Sequence, residues 1–115
     1  MSSADYAREV VEKLQAAGVA ATCDPRGAQV PCVLVEPPSF ANYESMCDSA
    51  RGTWNAFCLV PSPLNLDTWD VRCTLEAAVA SVLPVTTAQS VQYSLSPDSP
   101  SVPALQMSWE GSYEL

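Results

Sequence analysis

Residues 30 to 40 read VPCVLVEPPSF, and this stretch decides how the chain is organised. Residues 30–35 are apolar at successive positions and rich in β-branched side chains, which is typical of a strand covered on both faces, and Glu36 follows them. Two prolines follow, and proline ends a strand because it has no backbone N–H to donate. The stretch therefore predicts a buried strand and then a segment that leaves the sheet.

A helix is predicted before this strand, over residues 3–17. Ser2 or Ser3 would cap its start, and Gly18 stands just past its end, where glycine is favoured. One apolar stripe runs along it at helical spacing, formed by Ala7, Val10, Val11 and Leu14. A short strand over 19–23 and a tight turn over 24–27, DPRG, lead from this helix to the opening stretch.

A further strand and a second helix are predicted after the prolines. The strand is TWNAFCLV, residues 53–60, apolar on both sides of its pleat. The helix is expected to start at Asp67, where DTWD resembles a capping box, and to end before Pro84. Its apolar stripe consists of Val71, Leu75, Ala78, Val79 and Val82.

The last third of the chain predicts a hairpin. Apolar and polar residues alternate over 85–95 and again over 102–111, and PDSPS, residues 97–101, joins the two segments. The predicted order is α-β-β-β-α-β-β, an α+β fold with two helices packed on a mostly antiparallel β-sheet. At 115 residues we expect a single domain spanning 1–115, with a long loop at 37–52.

Composition argues against several classes of function. The net charge is −8, and the five bases are scattered singly along the chain, which disfavours binding to a phosphate backbone. There is no histidine, and none of the five cysteines forms a C-x-x-C pair, so we expect no metal site and no cofactor. We expect Cys32, Cys58 and Cys73 to be buried and Cys47 to lie in the loop. No signal peptide or membrane span is visible, so we expect a cytosolic protein.

Catalytic groups are sparse. Without histidine, a cysteine nucleophile lacks its usual activating base. Glu36, Glu44 and Asp48 could form a carboxylate pair near the long loop, but acids near a loop are ordinarily solvated. We therefore expect a protein that is not an enzyme.

The predicted loop at 37–52, PPSFANYESMCDSARG, is the first candidate surface for a partner. Aromatic residues, Met and Arg are enriched in interface cores, and long loops in compact domains are often functional. We expect an interface formed by Phe40, Tyr43, Glu44, Met46, Asp48 and Arg51. The alternative is that the apolar members fold back onto the sheet. The edge of the final hairpin is a second candidate, since sheet edges invite pairing with another chain.

The chain resembles the tail terminator proteins of long-tailed, siphovirus-type bacteriophages. The resemblance lies in the helix AREVVEKLQAAGV, the strands PCVLVEPPSF and WNAFCLVPSP, the acid-led second helix and the final hairpin. The segment DPRGAQVPCVLVEPP is similar to terminators from phages of actinobacteria.

This resemblance implies a structural virion protein. Six copies would form a homohexamer ring on the end of the tail tube, stop tube polymerisation and offer a docking surface to the head–tail connector or stopper protein. The partners implied are further copies of the chain, the major tail tube protein and that connector, and the protein would assemble in the host cytoplasm. DNA would pass through the lumen without specific binding, because six acidic copies would repel it. Neutralising Glu44 and Asp48 should then leave assembly intact and slow DNA ejection.

Two alternatives remain open. Head–tail stoppers and adaptors of the phage neck are similar in size and also form rings, although stoppers tend to be β-barrels. A small thiol-dependent enzyme belongs to a different class, and replacing all five cysteines would distinguish it from a ring protein.

Overall fold

The computed structural model describes residues 1–43 and 48–115. Two helices and six strands make up the described chain. In chain order they are α1 (Ser3–Ala16), β1 (Ala21–Thr22), β2 (Cys32–Val35), β3 (Phe40–Tyr43), β4 (Ser49–Leu59), α2 (Leu66–Val82), β5 (Thr87–Tyr93) and β6 (Val102–Glu114), with a short 3-10 helix, Pro25–Gly27, between β1 and β2.

The strands form one sheet in the order β1-β2-β4-β6-β5, with β3 also paired to β4. β1 and β2 run parallel, and every other pair is antiparallel. β4 pairs with β6 along its whole length, whereas its other edge is divided: β3 pairs with Ala50–Thr53 and β2 with Ala56–Leu59. The predicted α+β fold, with helices on a mostly antiparallel sheet, is confirmed.

Both helices cover one face of the sheet and form the main core with it. α1 packs against β1, β2 and β6, and α2 packs against β4 and β6. The stripe predicted for α1 is confirmed, since Ala7, Val10 and Leu14 are buried. From the sheet this core receives Val33, Val35, Trp54, Ala56, Cys58, Val60, Leu105, Met107 and Trp109.

The other face of the sheet carries a smaller apolar cluster. Its buried members are Cys32, Leu34, Phe57, Leu59 and Ala104. The loop residues Ala28 and Val30 and the β5-side residues Val91, Tyr93 and Leu95 pack over them. β2 is therefore buried on both faces, as its unbroken apolar run predicts.

The prediction of a long loop at 37–52 is wrong for the described residues of that segment. Phe40–Tyr43 form β3, and Ser49–Gly52 are the first residues of β4. Glu36 N donates to Asn55 O at 3.1 Å, and Ser39 N donates to Thr53 O at 3.0 Å, so the chain pairs with β4 on both sides of the two prolines. Pro37 and Pro38, which have no N–H, therefore interrupt the pairing and separate β2 from β3 without taking the chain out of the sheet.

Two predictions about α2 are corrected by the structure. The helix starts at Leu66 and not at Asp67, because Asn65 is the N-cap and forms a capping box with Thr68. Cys73 is exposed, because the side of α2 that meets the sheet is the side of Leu75 and Val79. Within the described residues, no helix is long and apolar enough to cross a membrane.

Candidate interaction surfaces

The six predicted interface residues fall in different parts of the structure. Phe40 and Tyr43 lie on β3, and their side chains are 61 % and 64 % exposed. The backbone oxygen of Asp48 accepts a hydrogen bond from Leu115 N at 3.1 Å. Arg51 lies on β4, where its Nε donates to Glu110 Oε2 at 3.1 Å. Glu44 and Met46 lie outside the described residues, as does Cys47.

Phe40 and Tyr43 do not form one patch, because they point to opposite faces of the ribbon. Successive side chains of a strand alternate, and the register pairs Phe40 with Thr53 and Tyr43 with Ala50. Phe40 therefore shares its face with Arg51, whereas Tyr43 lies on the face of the helices. The prediction that exposed aromatics lie in this segment is confirmed, but their grouping on one loop is not.

A cavity of about 180 Å³ opens between α1 and the double proline. Its walls are mainly apolar, with Val35, Pro37, Pro38 and the fully buried Trp54 on the sheet side. Ala4, Ala7 and Arg8 face it from α1. Sequence reasoning missed this cavity, since it depends on how the prolines pack. Pro38 approaches β4 so closely that a Cβ on Gly52 would lie 2.9 Å from the Cβ of Pro38.

β5 forms one outer edge of the sheet. Among the described residues it pairs with β6, and most of its side chains are exposed. Its sequence, TAQSVQY, contains neither a charged residue nor a proline. Natural proteins usually protect an outer strand with such residues against pairing with another chain. The hairpin edge predicted from the sequence is thus β5, and it lacks the residues that would protect it.

The start of α2 presents a third surface, which sequence reasoning missed. Leu64, Leu66 and Trp69 are all exposed, Trp69 to 53 %. None of them belongs to the apolar stripe that faces the core, and Leu66 lies on the opposite side of the helix from Leu75. The sequence signal for this surface was the presence of apolar residues outside the predicted stripe. The capping box of Asn65 and Thr68 fixes this first turn.

These surfaces lie near two opposite edges of the sheet, called here the β3 side and the β5 side. β3 and β2 pair with one edge of β4, and β5 lies beyond β6 on the other. The cavity belongs to the β3 side, because the prolines that line it lead directly into β3. The start of α2 belongs to the β5 side, because Leu64 and Arg72 line one depression with Ser90 and Val91 of β5.

A polar network occupies the sheet face away from the helices. Asn55, the one polar residue among the buried side chains of the described chain, lies at its centre. Its Oδ1 accepts from Ser108 Oγ at 2.7 Å and from Gln106 Nε2 at 3.0 Å, and its Nδ2 donates to Ser39 Oγ at 3.2 Å. The network thus joins β4 and β6 to Ser39, the residue before β3. Because these partners satisfy the hydrogen-bonding atoms of the Asn55 side chain, we do not regard it as a ligand site.

Most of the basic side chains are neutralised within the fold. Arg8, Lys13, Arg26 and Arg51 each lie within 4 Å of a carboxylate. Hydrogen bonds from the Arg26 side chain hold the pKa of Asp24 below its ordinary value. The described surface therefore presents no cluster of unneutralised bases of the kind that binds nucleic acid.

Two of the described cysteines, Cys32 and Cys58, are buried and poorly placed for chemistry. Burial raises the pKa of Cys58 to about 12 and also raises the pKa of Cys32, so both are held as inactive thiols at neutral pH. Over residues 1–43 and 48–115, no three His, Cys, Asp or Glu side chains come together as they would around a metal ion.

Comparison of the chain with models of known protein families finds no match. Comparison with curated proteins finds no significant relative.

Proposed function

We propose that this protein is a ring-forming structural component of a phage virion, a tail terminator. The observation that carries the proposal is the pair of unlike, unprotected strands, β3 and β5, at opposite edges of one sheet. Neither FANY nor TAQSVQY contains a charged residue or a proline. An edge of this kind is a template for pairing with another strand.

Two unlike surfaces on opposite sides favour head-to-tail assembly. When the β5 side of one copy contacts the β3 side of the next, the contact is heterologous, and repeated contacts close into a ring if the rotation between copies permits. A single self-complementary patch would give a two-fold dimer instead. The resemblance to tail terminators supplies the expected number of copies, six.

The proposed role follows from the ring. It would cap the tail tube, stop its polymerisation and present its other face to the head–tail connector or stopper protein. DNA would pass through the lumen without specific binding, in keeping with the net charge of −8 per copy. Helices of 14 and 17 residues favour a terminator over the β-barrel stoppers of the phage neck.

Native mass spectrometry and negative-stain images over a concentration series test the proposal. A six-membered ring with a central hole is expected, either alone or after purified tail-tube ends are added. Tube elongation should then stop in a polymerisation assay. A stable two-fold dimer that neither forms rings nor binds tube ends would overturn the proposal.

A further inference from the structure

We propose that the cavity between α1 and the double proline is a socket for the Trp69 side chain of a second copy of this chain. This inference rests on the head-to-tail assembly proposed above and specifies the contact that holds neighbouring copies together.

The cavity has the size and the chemistry that an indole ring requires. A dry apolar cavity of about 150 Å³ accommodates benzene, so this cavity of about 180 Å³ fits one aromatic ring, with the rest of the indole at the open side. Val35, Pro37 and Pro38 form apolar parts of the wall, so an inserted ring would bury apolar area against them. Ser3 is the hydroxyl residue in the lining and offers an acceptor for the indole N–H.

Trp69 has the properties of an anchor residue. It is 53 % exposed on a capped first turn, so its backbone is fixed while about half of its surface remains open to a partner. Tryptophan is among the residues that most often dominate the binding free energy of an interface. Its place on the β5 side, opposite the cavity, allows the same contact to repeat from copy to copy.

Charge complementarity supports the same pairing. Arg8 lies at the cavity, where its Nη1 contacts Asp5 at 2.9 Å. A guanidinium has five donors, so most of its capacity remains, and it also interacts favourably with an indole face. Glu76 lies two turns after Trp69 on the same side of α2. Asp5 already pairs with Arg8, so an approaching Glu76 carboxylate would bind the remaining N–H donors of the same guanidinium.

Two substitutions at exposed positions test the contact from its two sides. Trp69→Ala removes the anchor, and Ala4→Phe fills the cavity from the surface of α1. Each should raise the dissociation constant of self-association at least about 30-fold, measured by sedimentation velocity, because anchors contribute at this level. Val71→Ala, which shortens another exposed apolar side chain on the opposite side of α2 from Trp69, is the control and should leave the constant unchanged within about twofold. Circular dichroism establishes that each variant is folded.

Mixing the two variants provides the decisive measurement. The Ala4→Phe copy keeps its anchor and the Trp69→Ala copy keeps its cavity, so an equimolar mixture should form a one-to-one dimer that cannot extend. If either folded variant assembles like the unmodified chain, the inference is overturned while the proposed ring stands. If the unmodified chain forms a closed dimer that both variants weaken, the ring fails and the socket stands. A chain that does not associate at any concentration, with or without tube ends, overturns both.

Discussion

The hydroxyl of Tyr93 donates a 2.5 Å hydrogen bond to Glu36 Oε2, and so connects the end of β5 to the residue that follows β2. The ring of Tyr93 lies against Phe57, with 4.6 Å between the ring centroids. Tyr93 therefore covers the smaller apolar cluster and holds together two parts of the chain that are 57 residues apart.

Tyr93→Phe should lower the free energy of unfolding by about 1 to 2 kcal/mol at neutral pH. The substitution keeps the aromatic packing and removes the hydrogen bond to the partly buried carboxylate. Urea denaturation measures the effect, and Tyr43→Phe at an exposed position is the control. Equal midpoints for the two variants would show that the hydrogen bond contributes nothing.

The same tyrosine should make the protein sensitive to alkali. Burial, followed by the hydrogen bond to Glu36 and its charge, raises the pKa of Tyr93 above its ordinary value of 10.0. Above that pH the unfolded chain loses this proton while the folded chain keeps it, so the stabilisation present at lower pH is progressively lost. Urea denaturation from pH 8.5 to 11 should show a shallower decline for Tyr93→Phe than for the unmodified chain. Parallel declines would contradict this.

The start of α2 provides a test of capping. Asn65 Oδ1 accepts from Thr68 N at 3.0 Å, so Asn65→Ala should destabilise the fold by about 1 kcal/mol. Asp67→Ala is the comparison, because Asp67 lies inside the first turn, and a favourable charge there contributes less, about 0.3 to 1 kcal/mol. Thermal unfolding of the two variants compares their losses of stability. A larger loss for Asp67→Ala than for Asn65→Ala would contradict the assignment of Asn65 as the N-cap.

Any side chain at position 111 should destabilise the fold. A Cβ there would overlap the hydroxyl of Tyr6, which accepts a hydrogen bond from Trp109 Nε1 at 3.0 Å. Gly111→Ala must therefore displace Tyr6 from the aromatic group around Trp54, at a cost of about 1 to 3 kcal/mol.

Gly27→Ala is the matched control for this substitution. The nearest atom to its new Cβ would be Thr22 Oγ1 at 3.9 Å, an ordinary contact. Chemical denaturation should separate the two glycine variants, and equal stabilities would show that the packing around Tyr6 adjusts without cost.

The sequence predicts an element of this fold well where all its local signals agree. α1 has a cap, a stripe and a terminal glycine that agree, and its observed bounds differ from the predicted ones by one residue. The start of α2 is predicted at Asp67 from the DTWD pattern, but the N-cap is Asn65, whose side chain accepts a hydrogen bond from Thr68 N. β3 has no periodic signal, because FANY is exposed on both faces of its ribbon and exists through its pairing with β4.

The candidate surfaces could be predicted only in part, for a related reason. Polarity identifies Phe40 and Tyr43 as residues in an exposed segment, but the face to which each points depends on register. The exposure of Trp69 depends on which side of α2 meets the sheet, and the cavity depends on the packing of Pro38 against Gly52. Each of these is a relation between distant segments, which a local pattern does not contain.

The β5 edge provides the functional prediction. Ala88→Lys combined with Gln92→Lys places two lysines on an exposed outer strand, and charged residues on an edge oppose pairing with another chain. Self-association should weaken at least about tenfold, or about 1.4 kcal/mol, and rings should disappear from negative-stain images. Ala77→Lys with Ser81→Lys adds the same charge to exposed positions of α2 that point away from the sheet, and should leave rings intact. If both pairs act alike, reduced net charge and not the edge would be responsible, and β5 would not be the joining strand.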